Sequence, residues 1–227
     1  MNSLTYKKYK KIFASLIEFL SYHIFPFIFI FGHDLNNYSI NWFMAIMVGM
    51  VAIYKEYIRS LKPNMYFNGL YSLIYVILIM LTFKSLNINV IILIFIQLVL
   101  LFSTKYIDEK YQLVQTLIDN FIVPSFMSIA IAYTYMHFIS FNFVVPLLLV
   151  NVATVLIDYF EGARTDYIQL VTLAGLTLIL FLLGYISAIT SITIVVFVVV
   201  SALLKQFKHL STSNLFYRVI GNFLLLI

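Results

Sequence analysis

Apolar stretches long enough to cross a bilayer as helices recur from one end of the chain to the other, separated by short polar breaks. They run Ile12 to Phe31, Asn41 to Ile58, Phe67 to Phe83, Ile88 to Phe102, Leu113 to Phe138, Phe141 to Ile157, Tyr167 to Leu183 and Ile186 to Leu204, with a shorter ninth from Leu215 to Ile227. A helix needs about 20 apolar residues to cross the hydrocarbon core. Because the runs recur throughout, a cleaved signal peptide does not account for them. Only 10% of the 227 residues are charged, against about 25% in soluble domains, and the mean hydropathy is +1.02. A soluble fold has no interior large enough for that much apolar surface. The sequence therefore predicts an all-α integral membrane protein, a single polytopic domain over residues 1–227 arranged as a bundle of eight or nine transmembrane helices.

Helices are expected rather than a barrel, because strand alternation is absent and the breaks carry helix punctuation such as Gly32, Lys62-Pro63-Asn64 and Gly184. Pro26, Pro124 and Pro146 fall inside apolar runs, where each removes a backbone donor and frees a carbonyl. Lys and Arg are retained on the cytoplasmic side of membrane helices. Twelve of the 14 fall on one side of the predicted bundle, beginning with Lys7, Lys8, Lys10 and Lys11 before the first run. The expected location is the cell membrane, multi-pass, with the amino terminus and the larger loops cytoplasmic. The net charge of +5 follows from that topology and from anionic headgroups as partners, not from nucleic acid. The chain has no Cys, which excludes disulfides, thiolate metal sites and cysteine nucleophiles.

Charge is scarce, so its clusters are the candidate chemistry. Asp158, Glu161, Arg164 and Asp166 follow the sixth run within nine residues. If the helix continues a turn past Ile157, Asp158 and Glu161 share one face. Two carboxylates at a membrane mouth suit Mg²⁺, which completes its shell with water and substrate phosphates. The plainer alternative is a solvated loop capping the helix. Lys55 and Arg59, at the end of the second run, read either as phosphate contacts or as a positive anchor. Asp119 lies deepest in an apolar run, and an intramembrane carboxylate is a functional candidate by default. Glu18, with His23, is a similar case in the first run.

The order of spans, with polar clusters after the second and the sixth, resembles the UbiA superfamily of intramembrane prenyltransferases. The local text strengthens the likeness: Asp158-Tyr159-Phe160-Glu161-Gly162-Ala163-Arg164, followed by Leu170-Val171-Thr172-Leu173-Ala174-Gly175, is similar to that family's D-x-E-G-D pattern and the helix after it. The resemblance implies nine helices around a cavity, in which Mg²⁺ and an isoprenyl diphosphate bind and the prenyl group passes to a lipophilic acceptor. It assigns Asp158 and Glu161 to metal and catalysis, and Lys55, Arg59, Asp119, Arg164 and Asp166 to substrate.

The sequence also departs from that family. Its N-D-x-x-D-x-x-x-D motif corresponds here to Tyr54-Lys55-Glu56-Tyr57-Ile58-Arg59-Ser60, with one carboxylate, and Ala163 replaces the last aspartate of the second motif. Losing a metal site removes electrostatic stabilisation of the leaving group, so either Lys55 and Arg59 replace part of it or the reaction is lost. Glu161-Gly162-Ala163-Arg164 is also faintly similar to the D-G-x-x-A-R of CDP-alcohol phosphotransferases, without that family's later aspartates. The non-enzymatic alternative is a permease, an immunity protein or an accessory subunit.

Overall fold

A computed structural model describes residues 3–31, 41–59, 65–83, 85–107, 109–159, 163–184 and 186–206, and among these the chain is helical without strands. Helix α1 spans Ser3–Phe31. Helix α2, Trp42–Ile53, passes into a π-helical segment, π1, Tyr54–Ile58. Helices α3, Met65–Thr82, and α4, Ile88–Ser103, follow. Next comes one continuous rod made of α5, Gln112–Leu117, a second π-helical segment, π2, Ile118–Ile122, and α6, Val123–Met136. Helices α7, Phe141–Tyr159, α8, Ala163–Leu182, and α9, Ala188–Gln206, complete the described chain. Each of the eight longer apolar runs is helical over nearly all its length. The ninth, Leu215 to Ile227, lies outside the described residues.

The helix ends follow local chemistry. Asn41 and Asn87 are extended, and their side chains accept from the amides of Met44 and Asn89 at 3.2 and 3.0 Å, satisfying donors that a first turn leaves bare. His137 ends α6 in the left-handed conformation, with φ 59°, its N–H returning to the Tyr133 carbonyl at 3.0 Å. Gly184 ends the α8 stretch with φ 75°, a conformation that costs glycine least.

Among the described residues, two helices, Lys11–Phe31 and Gln112–Met136, are long and apolar enough to cross a membrane, and three shorter apolar ones are Tyr66–Thr82, Ile88–Ser103 and Phe141–Leu156. The α5–π2–α6 rod is central: α6 packs on α1, α4 and α7, and π2 packs on α7 and α4. Helix α2 joins the bundle through α1, and α9 through α8, which packs on α7. The largest cluster of buried apolar side chains includes Tyr22, Met47, Val51, Tyr75, Ile94 and Met127.

Polarity is arranged inside out. Glu18, Lys55, Gln97, Asp119, Asn151 and Thr154 are buried, whereas Leu70, Leu73, Ile77, Met80 and Leu81 of α3 and Ile189, Ile192 and Val196 of α9 point outward. Soluble monomers rarely expose apolar patches of more than a few hundred Å². Interior polar groups join helices across their contacts. Asn151 of α7 donates to the Ser125 hydroxyl of α6 at 2.9 Å, and Ser128 of α6 donates to the Tyr22 carbonyl of α1 at 3.3 Å.

Candidate functional site

Four charged side chains from three rods meet in the interior. The Lys55 ammonium of π1 lies 2.5 Å from Oε1 of Glu18 on α1 and donates to the backbone carbonyl of Asp119 on π2 at 2.9 Å. The Tyr22 hydroxyl, one turn along from Glu18, donates to the same Oε1 at 2.5 Å. Arg59, directly after π1, donates through Nη1 to both oxygens of the Asp119 carboxylate at 2.7 and 2.6 Å, and to the Thr104 hydroxyl at 3.3 Å. The Thr104 hydroxyl, past the end of α4, donates to the Leu101 carbonyl at 2.8 Å. The formal charges alternate and cancel, as burial in a medium of low dielectric demands.

The two π-helical segments explain how these groups reach one another. In π1 the Arg59 amide bonds back five residues to the Tyr54 carbonyl at 2.9 Å, so Lys55 and Arg59 do not keep ordinary α-helical register. In π2 the Val123 amide reaches back five residues to Ile118. The next rung in that register would run from residue 124 to the Asp119 carbonyl, but residue 124 is proline and has no N–H. The carbonyl left over by that missing rung is the one Lys55 fills. The wider turn and Pro124 together turn a backbone oxygen into a ligand for an ammonium group from another helix.

Depth along the helices agrees. At about 1.5 Å per residue, Glu18 lies about 10 Å in from Lys11 on one long apolar helix, and Asp119 lies about 10 Å in from Gln112 on the other. The network is therefore one layer across the bundle, nearer the helix ends that carry the lysines.

The predicted site residues are partly assembled. Lys55, Arg59 and Asp119 are in direct contact. Asp158 lies in the last turn of α7 and Arg164 and Asp166 in the first turn of α8, placed by the backbone alone, and Glu161 lies outside the described residues. Among the described residues no three His, Asp or Glu side chains gather as a metal cluster. Lys55, one of the predicted phosphate contacts, is committed to Glu18 and the Asp119 carbonyl. Arg59, with a side chain 24% exposed, is the more open of the two.

Sequence reasoning gave Glu18 a minor place and left out Tyr22 and Thr104. The signal for Glu18 was present: a carboxylate deep in an apolar run demands a cation, and the second run ends in two of them. Comparison with protein-family models, curated proteins and solved structures finds no match.

Proposed function

We propose that the chain is a multi-pass membrane protein of eight or nine spans with a cytoplasmic amino terminus, built on a UbiA-like plan, and that it handles an isoprenyl diphosphate at its cytoplasmic end. Its polar interior and apolar outward faces support the membrane setting. The observation that carries the site is a juxtaposition: the basic end of α2–π1 is drawn onto Asp119 of π2, and π2 packs along α7, whose last turn bears Asp158. One element thus links the two polar helix ends singled out in the sequence.

In this proposal Arg59 contacts the diphosphate, while Lys55, anchored by Glu18, holds the backbone of π2 so that Asp119 orients the guanidinium. Asp158 and Glu161 would hold Mg²⁺, which when bound supplies charge neutralisation to the departing diphosphate. Arg164 and Asp166 open the next helix beside them, and a lipophilic acceptor would take the prenyl group. A non-enzymatic role as permease, immunity protein or accessory subunit is favoured by a different observation. Glu18 with Lys55 and Asp119 with Arg59 already neutralise one another, so the network can fasten three rods with no ligand.

The test is a titration of the purified protein in detergent with farnesyl diphosphate, with and without Mg²⁺. Binding that needs Mg²⁺, and that is weakened in Asp158→Asn but not in Asp34→Asn, a change between the first and second apolar runs on the expected external side, at unchanged thermal stability, supports the prenyltransferase-like reading. Binding indifferent to both Mg²⁺ and Asp158 rejects it, and no binding transfers the preference to the non-enzymatic role.

A further inference from the structure

The outer surface carries a groove between α1 and the α2–π1 rod. It encloses about 450 Å³ and is lined by Ile12, Leu16 and Phe19 on one side and Gly49, Ile53 and Tyr57 on the other. That volume falls in the range of ligand pockets, about 300 to 1,000 Å³. Gly49 is where the room comes from: a Cβ built there would meet the Phe19 ring only at 3.7 Å, and nothing else is near. Ile12, Leu16 and Ile53 are about half exposed, at 47, 55 and 46%, so the groove opens outward along its length rather than into the core.

The charge next to the groove is not evenly distributed. Helix α1 begins at Ser3, so Lys7, Lys8, Lys10 and Lys11 occupy its opening turns directly before Ile12. Lys8 precedes Ile12 by four residues and Lys11 precedes Ser15, which also lines the groove, by four, which puts both lysines at register positions on the helical stripe that continues into the groove wall. A run of lysines against the cytoplasmic end of a membrane helix attracts anionic headgroups. The stripe thus presents cationic positions at one end and an apolar channel of helix-turn repeats at the other, the polarity of a phospholipid laid along α1.

We propose that this groove and the lysine-bearing turns above it form a site for an anionic phospholipid of the cytoplasmic leaflet, its headgroup at Lys8 and Lys11 and one acyl chain between α1 and α2. The site presupposes the membrane setting and the cytoplasmic amino terminus proposed above, but neither the diphosphate nor any catalysis.

The test uses the full chain in nanodiscs containing a trace of phosphatidylglycerol with a photoactivatable diazirine in one acyl chain. In the wild-type protein, adducts concentrated on residues 12–19 and 49–57 support the site, while adducts spread equally over the outward face of α3 overturn it. Phosphatidylglycerol should compete for labelling better than phosphatidylcholine, and Lys8→Gln should lower that preference about fivefold, the equivalent of roughly one headgroup attraction per lysine. Gly49→Leu, which fills the channel, should abolish the focused labelling, whereas Gly49→Ala should preserve it. Unchanged labelling in Gly49→Leu, or equal competition by the two lipids, overturns the proposal. Side-specific labelling of a cysteine at Ser3 reports the orientation independently, so a reversed topology is distinguishable from a missing lipid site.

Discussion

Glu18 and Lys55, separated by 37 residues of sequence, meet at 2.5 Å with side chains 0% and 4% exposed. Removing one partner of a buried pair leaves an uncompensated charge, which costs about 3 to 5 kcal/mol, whereas replacing both by apolar groups is often neutral. Glu18→Leu and Lys55→Met should each lower thermal stability in detergent by that order, and the double variant should recover most of the loss. Additive losses would show that the pair does not act as a unit.

The second pair is expected to matter less for stability. Arg59 is partly exposed, and water screens part of its attraction to Asp119, so Arg59→Gln should cost about 1 kcal/mol. Asp119→Asn should cost a similar amount, since the backbone carbonyl that holds Lys55 survives the change. A thermal melt showing Arg59→Gln to be as damaging as Lys55→Met would contradict this ranking.

Pro124 invites a test that ordinary helix rules would get wrong. Replacing proline by alanine inside a helix usually gains about 3 kcal/mol, by restoring a hydrogen bond and relieving a clash. Here the restored N–H would compete with Lys55 for the Asp119 carbonyl. Pro124→Ala should therefore give little or no rise in melting temperature in the wild-type background but a clear rise with Lys55→Met, a coupling of about 0.5 to 3 kcal/mol. Equal effects in the two backgrounds would separate the proline from the lysine.

For topology, single cysteines at Ser3 and Ser140, introduced into a chain that has none of its own, should react with an impermeant reagent from opposite sides of the membrane. Reaction of both from the same side would remove the proposed orientation.

Much of the architecture was legible in the sequence because long apolar helices announce themselves by length. The eight longer runs coincide with helices, and Asn41, Asn87 and Gly184 punctuate them through capping and left-handed geometry that the residue types favour. The polar layer was legible only in its parts. Lys55, Arg59 and Asp119 were singled out separately, but their meeting depends on two π-helical segments, and no periodicity in Tyr54–Ile58 or Ile118–Ile122 reveals a five-residue rung. Pro124 was read as a source of a free carbonyl, yet its partner lies on a segment 64 residues from Asp119. The pairing of Glu18 with Lys55 was not read from the sequence, because choosing among the cations available needs the packing of α1 against π1.

The placing of opposite charges on separate rods also shapes how such a chain would be made. If its helices enter the bilayer in order of synthesis, α1 arrives carrying Glu18 before the ribosome has reached Lys55. A lone acid at a helix centre costs about 2.5 to 3.5 kcal/mol at insertion, an upper bound for Glu18, which lies nearer the lysine-bearing end, and an amount that a 21-residue stretch of mean hydropathy 1.7 can absorb. Lys55 then relieves Glu18, and Arg59 waits for Asp119, which emerges 60 residues later. Each later rod of the network brings a counter-charge for one already made, with the uncharged α3 and α4 in between, so the assembly is drawn closed in the order of translation, and a nascent chain stalled between α2 and π2 would hold an arginine still without its acid.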